Sequence, residues 1–210
     1  MKMNHTPKFI VFEGIDGAGK TTQILKLRDR LASNDVKCIT TAEPTDSELG
    51  KRIRKILAGE IKVSDDELAL LFAKDREYHN TSNDGIEKTL SSGVTVISDR
   101  YYYSSLAYQG ASIGLDRVMS LNIGNKNIRR PDLCIFLDLT PEQSLSRIGK
   151  RDGDSREIFE NKEILSRTRD KFYEVFDVLE GLGERIVKID ASRTVDEVAE
   201  DIAKAVEGLF

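Results

Sequence analysis

A chain of 210 residues, 39% hydrophobic and 32% charged, has room for one domain, or at most two small ones, around a real core. Its formal net charge of −4 excludes a general nucleic-acid footprint, so any anion site must be a local cluster of cations within an acidic surface. No apolar run approaches the roughly 20 residues of a membrane span, and the short polar stretch Met1 to Pro7 does not read as a signal peptide.

In chain order, Lys8 to Glu13 is an apolar run of strand length. It leads into Gly14-Ile15-Asp16-Gly17-Ala18-Gly19-Lys20-Thr21, a match to G-x-x-x-x-G-K-[ST], the phosphate-binding loop of nucleotide triphosphatases. Glycines let the backbone curl with its N–H groups inward and keep Cβ atoms away from phosphate. Lys20 brings a mobile positive charge to the β- and γ-phosphates, and the Thr21 hydroxyl suits a Mg²⁺ ligand. Ile24, Leu25, Leu27 and Leu31 follow at helical spacing, so a helix begins near Lys20 and aims its N-terminus at the anion. A Gly-rich turn without function would not need that strand–loop–helix context.

Val36 to Thr41 reads as a second strand. Thr45 with Glu48 forms a capping-box pattern for a helix from about Asp46 to Leu57, and Ser64 with Glu67 forms another for a helix reaching Tyr78. A further helix is expected over Asn83 to Ser91. Gly93 to Ser98 and Asp132 to Leu137 read as the third and fourth strands, the latter followed by a helix opening at Thr140-Pro141. The polar stretch Arg147 to Glu157 interrupts the pattern before a long helix over Asn161 to Leu179. Arg185 to Asp190 is the fifth strand, and Thr194 with Glu197 caps the last helix. Five apolar strands alternating with helices predict an α/β fold of the P-loop NTPase type. It is a doubly wound five-stranded parallel sheet in one domain spanning 1–210, with ligands at the carboxyl ends of the strands. Cys38 and Cys134, each within a strand-like run, read as buried free thiols of a reducing, cytoplasmic compartment. His5 and His79 have no metal-like company and read as surface residues.

A triphosphate loop alone does not name a reaction. A GTPase switch needs N-K-x-D to read guanine, but Asn125-Lys126 is followed by Asn127-Ile128. It also needs D-x-x-G after the metal-bearing strand, but Asp99 is followed by Arg100-Tyr101-Tyr102. An aspartate ending a buried strand beside the loop can instead hold Mg²⁺ or its waters, and the arginine next to it adds a bidentate phosphate ligand. The alternative for Asp99 and Arg100 is a structural ion pair.

Three blocks carry a family resemblance. Phe12-Glu13-Gly14-Ile15-Asp16-Gly17-Ala18-Gly19-Lys20-Thr21-Thr22 resembles the opening of thymidylate kinases. Leu71-Phe72-Ala73-Lys74-Asp75-Arg76 is similar to their L-F-A-x-D-R helix. Asp99-Arg100-Tyr101 with Ser104, Ala107, Tyr108 and Gln109 is similar to their D-R-Y-x-x-S-x-x-A-Y-Q segment. The resemblance implies transfer of the ATP γ-phosphoryl group to dTMP with Mg²⁺, in a homodimer. The main rival is another nucleoside monophosphate kinase, and from a different class a nucleotide-dependent switch or binding module.

Residue roles follow from the same resemblance. Asp16 would bind the sugar 3′-hydroxyl, Phe72 would stack on thymine, Arg76 would donate to a base carbonyl and Arg100 would grip the acceptor phosphate. On helical spacing alone Phe72 is a core residue, and Arg76 is a solvated partner of Asp75 or Glu77. Tyr108 would crowd the 2′ position, Ser104, Ser105 and Gln109 would contact the base or order the site, and Tyr173 would close over the nucleoside. The stretch from Arg147 to Arg156 resembles the family's lid, placed at about 147–157. Some relatives carry a basic residue inside the phosphate loop, but Ile15, Gly17 and Ala18 stand there in this chain. The missing charge is therefore expected from the lid residues Lys150, Arg151 and Arg156, with Arg151 foremost and Arg147 stacking on adenine. Many relatives also have an arginine where this chain has Ala42, which leaves Arg54 or Lys51 as substitutes beside Arg100.

Overall fold

The structure, a computed structural model, describes residues 6–152 and 162–210, with the backbone alone for 149–152. The elements run β1 (Phe9–Glu13), α1 (Lys20–Ser33), β2 (Cys38–Ala42), α2 (Glu48–Leu57), α3 (Asp65–Thr81), α4 (Ile86–Ser91) and β3 (Thr95–Asp99). There follow α5 (Tyr102–Tyr108), α6 (Gly110–Ile113), α7 (Leu115–Asn122), β4 (Leu133–Asp138), α8 (Pro141–Asp152), α9 (Lys162–Gly181), β5 (Ile186–Asp190) and α10 (Val195–Glu207). The five strands form one parallel sheet in the order β2-β3-β1-β4-β5.

The strand pattern explains the layers. Successive side chains alternate faces, so Phe9 and Val11 of β1 enter one core with Phe136, Phe172 and Phe176, while Ile10 and Phe12 enter the other with Ile24, Leu27 and Ile202. Both faces of β1 are covered, and Phe9 to Phe12 are completely buried, as a central parallel strand requires. Covering both faces leaves the strand ends as the place for a site. β1 and β3 finish side by side there, with Phe12 opposite Asp99. A third cluster, of Ile53, Ile56 and Leu71 with Leu68 and Phe72 against it, joins α2 to α3 beside those ends.

Five expectations are corrected. Ser47, not Thr45, caps α2, accepting from the Gly50 N–H at 3.0 Å. Thr45 is unavailable because its N–H and hydroxyl both donate to the buried carboxylate of Asp75. His79 is 8% exposed, not a surface residue, because it faces β2 and bonds to Thr41 and Glu43. Cys134 is buried but Cys38 is half-buried, since β2 is an edge strand; both are free thiols. The polar stretch after the fourth strand does not break the helix at Arg147, for α8 continues through Asp152. The segment Tyr101 to Pro131, for which no element was expected, carries α5, α6 and α7. Among the described residues, no helix is long and apolar enough to cross a membrane.

Candidate active site

The loop after β1 takes its shape from glycines. Gly14 lies at φ +145°, and a Cβ there would stand 2.7 Å from the Leu137 carbonyl oxygen. Gly17, at φ +77°, is packed as closely on the Ser144 carbonyl, at 2.9 Å. No L side chain fits either position without displacing backbone. The loop ends at Gly19, the N-cap of α1, which has no side-chain cap and no acid in its first turn. The first N–H groups of α1 are thus left to an anion.

Lys20 is buried and its ammonium donates to the Gly14 carbonyl at 3.1 Å. Burial pushes its pKa below the ordinary lysine value, with Arg100 adding to the effect and Asp99, Asp16 and Glu13 opposing it. The Thr21 hydroxyl donates to Asp99 Oδ2 at 3.4 Å, while Asp99 Oδ1 is buried with no hydrogen-bond partner among the described residues. Arg147 sits over the same turn. It donates to the Ala191 carbonyl at 2.7 Å and keeps its other terminal nitrogen 4.0 Å from where a Cβ on Gly19 would stand. Ile15 and Ala18 are buried and Thr22 is exposed.

Glu13 organises the turn between β3 and α5. Its carboxylate is buried and accepts from the N–H groups of Tyr101 (2.9 Å) and Ser104 (3.1 Å) and from the Ser104 hydroxyl (2.7 Å). Burial raises its pKa against the pull of Arg100. Between these anchors Arg100 adopts φ +67°, a left-handed conformation rare outside glycine and held only where surroundings enforce it. Its N–H is fixed to the Phe12 carbonyl at 2.9 Å. Its guanidinium bonds to Asp16 of the phosphate loop, donates to Ser104 at 2.9 Å and lies 5.7 Å from the centre of the Tyr108 ring. Burial pushes the Tyr108 phenol up to about 12, so it is neutral at physiological pH.

Beside Arg100 opens a cavity of about 230 Å³. Asp16, Phe72, Arg76, Arg100, Ser104, Ser105, Tyr108 and Gln109 all line it. Phe72 therefore serves the apolar cluster and the cavity wall together. Arg76 is buried, and instead of a solvated bridge to Asp75 or Glu77 it donates to Glu43, Asn122 and Ser105. Arg54 also lines the cavity, whereas Lys51 pairs with Glu48 at the surface. Tyr173 is not among the lining residues; its hydroxyl donates to Asp138 at 2.7 Å. The side chains of Lys150, Arg151 and Arg156 lie outside the described residues.

Glu13, Glu43 and Asn122 were not singled out from sequence. Glu13 had a signal, an acid closing an otherwise apolar strand. Asn122 had none, for it is brought to Arg76 from 46 positions away.

The family model described as thymidylate kinase matches residues 12–202. A probable thymidylate kinase of Methanococcus aeolicus is 44% identical over 200 residues, covering 94% of each chain. A thymidylate kinase of Caldicellulosiruptor saccharolyticus is 38% identical over 209 residues, covering 97% of each. One from Leptospira interrogans is 34% identical over 199, covering 94% of this chain and 93% of its own. The match begins within β1 and ends within α10, taking in the phosphate loop, the Asp99-Arg100 turn and the whole cavity wall, so the chain belongs to the thymidylate kinase family.

Proposed function

We propose that this protein transfers the γ-phosphoryl group of ATP to dTMP, giving dTDP and ADP for dTTP synthesis. The observation that carries the reading is the position of Arg100. It is bonded to Asp16 of the donor loop and at the same time forms the wall of the adjoining cavity. A monophosphate in that cavity would meet Arg100 with its anionic end directed at the loop.

The chemistry needs little else. The acceptor is a phosphate oxygen, largely deprotonated near neutral pH because its second pKa is about 6. That oxygen bonds to the γ-phosphorus as the bond from phosphorus to the bridging β–γ oxygen breaks, and ADP leaves with the electron pair. No general base is required, so catalysis is positioning and charge neutralisation. The amides of the α1 N-terminus and Lys20 hold the donor phosphates, and Lys20 exchanges the Gly14 carbonyl for them. Arg100 holds the acceptor phosphate with Arg54 beside it. Phe72 and Arg76 address the base, Tyr108 the 2′ position and Asp16 the 3′-hydroxyl. Arg151, then Arg156, supplies the charge that the loop lacks at positions 15, 17 and 18.

Thr21 and Asp99 fit a Mg²⁺ ion. A hydroxyl stands beside a carboxylate whose buried Oδ1 has no partner among the described residues, and Mg²⁺ takes few protein ligands, preferring water and phosphate oxygens. Bound there, the ion would neutralise charge on the β- and γ-phosphate oxygens. A homodimer is part of this reading on family grounds.

The test is ADP production from Mg·ATP with dTMP, dUMP, UMP, dCMP, AMP, GMP or no acceptor. Preference for dTMP is expected. Preference for another monophosphate would keep the kinase and remove the pocket assignment, and turnover without an acceptor would point to a switch or binding module.

A further inference from the structure

Arg76 is held in the cavity wall by a hydrogen-bond chain that starts outside it. Glu43, itself buried, divides its carboxylate between two partners. Its Oε2 accepts from Arg76 Nε at 2.7 Å and stands 2.7 Å from a terminal nitrogen of the same guanidinium. Its Oε1 lies 2.9 Å from Nδ1 of His79. An ionised carboxylate only accepts, so Nδ1 carries a proton; in the neutral ring Nε2 then accepts from the Thr41 hydroxyl, 2.8 Å away. His79 does not line the acceptor cavity. It borders a separate one of about 360 Å³, together with Thr41 and Ser47.

We infer that His79 is a positioning residue for acceptor recognition, fixing through Glu43 the guanidinium of Arg76 that reads the base. The inference rests on the dTMP reading above. Guanidinium has five N–H donors. Glu43, Asn122 and Ser105 each accept one, with a second Arg76 nitrogen 2.7 Å from Glu43, and the remaining N–H groups have no hydrogen-bond acceptor among the described residues. A donor-only group that keeps a free N–H selects a base carbonyl over an amino group only if the fork cannot rotate.

What prevents rotation is the sharing of Glu43. Without the Nδ1 proton, Oε1 would be a buried acceptor with no donor, a costly state. The carboxylate would relieve it by turning both oxygens onto Arg76, the favoured fork-to-fork geometry. That turn draws the guanidinium from the Ser105 hydroxyl, its longest bond at 3.2 Å, and so moves the free N–H. Ring and carboxylate together therefore do what an Arg–Glu pair alone would not.

Two amide variants separate the two ring contacts. An asparagine amide stands near the place of Nδ1 and still donates to Glu43; a glutamine amide reaches the place of Nε2 and keeps only Thr41. Kinetics at saturating Mg·ATP with dTMP and dCMP should show His79→Gln raising KM for dTMP about tenfold and cutting the dTMP-over-dCMP ratio of kcat/KM about tenfold, with kcat nearly unchanged. His79→Asn should stay within about threefold of wild type on each. Equal losses in both variants, or a loss confined to kcat or to the KM for ATP, would overturn the inference. A wild type that does not prefer dTMP would remove the reading beneath it instead. A second measurement needs no change at His79. The chain has two histidines, so in His5→Gln protein with ¹⁵N-labelled histidine only the His79 ring is observed. Adding dTMP should shift its Nδ1 resonance, and ATP should not; an unmoved resonance with dTMP overturns the positioning role.

Discussion

At the phosphate loop, α1 starts at Gly19 with no side-chain cap, and the neighbouring Asp99 keeps a buried oxygen without a partner among the described residues. In the adjoining cavity, Arg76 donates to three residues, Asp75 accepts from Thr45 and Ser47, and Glu43 is shared between Arg76 and His79. One half of the site leaves its polar groups open and the other has them committed. The difference follows from what each half must hold. A triphosphate is bound by charge and by amides that reach it from many angles, and open donors are ready for it without rearrangement. A base is told from its analogues by single hydrogen bonds, which discriminate only when their donors are fixed.

Lys20→Ala should have the largest effect, on the donor half. If the loop works by open donors aimed at charge developing on phosphate, removing its one mobile cation should cut kcat about 10²–10³-fold, the scale of losing one preorganised donor. The KM for dTMP should stay near wild type, because Lys20 does not line the acceptor cavity. Stability should not fall. The buried ammonium has a lowered pKa, so the unfolded chain binds its proton more tightly than the folded protein does. Wild-type stability should accordingly gain as pH rises from that lowered value towards 10.5, and the variant should lose this gain. Thermal melts across alkaline pH read the sign directly, and full activity in Lys20→Ala would remove the loop's assignment.

Tyr108→Ala comes next and probes the committed half. The ring is held edge-on against Phe172 and under the Arg100 guanidinium, so it cannot yield to an added hydroxyl. Truncation should raise the UMP-over-dTMP ratio of kcat/KM, by up to about 10²-fold, the limit for rejecting a hydroxyl by shape alone. An unchanged ratio would mean that the 2′ position is read elsewhere.

The same contrast governs what the sequence made legible. The donor half is contiguous, and its strand, loop and helix signals agree, so its residues and elements could be read locally. The sheet was legible for the same reason, five short apolar runs separated by helical patterns. The acceptor half is assembled from β1, the loop before α2, α3, α5 and α7, and its bonds span tens of residues. Glu43 is joined to Arg76 across 33 positions and to His79 across 36. No local pattern encodes such pairs, which is why His79 reads as a surface residue in sequence. Helices α5 to α7 were missed because they are short and pack by Tyr102, Tyr103 and Leu106, without a clear period. Phe72 and Tyr108 reached the site through family resemblance rather than spacing.

The smallest effect concerns the cap of α2, the helix that brings Arg54 and Leu57 to the cavity wall. Thr45 with Glu48 and Ser47 with Gly50 are competing caps two residues apart, and the structure chooses the second because Asp75 claims Thr45. Ser47 also donates to Asp75 at 2.7 Å, so its hydroxyl both closes the helix and ties α2 to α3. Ser47→Ala should cost about 1–2 kcal/mol, one N-cap plus part of a charge-assisted hydrogen bond. For a domain of this size that lowers Tm by roughly 2–8 °C. Glu48→Ala should leave Tm nearly unchanged, since Glu48 is exposed and its ion pair with Lys51 lies at the surface. The reverse ranking would restore the cap at Thr45 and free Asp75 to serve the cavity directly. The expected ranking instead makes Asp75 part of the wall's frame, which loosens by a few degrees while the donor loop, sharing none of these bonds, keeps its kcat.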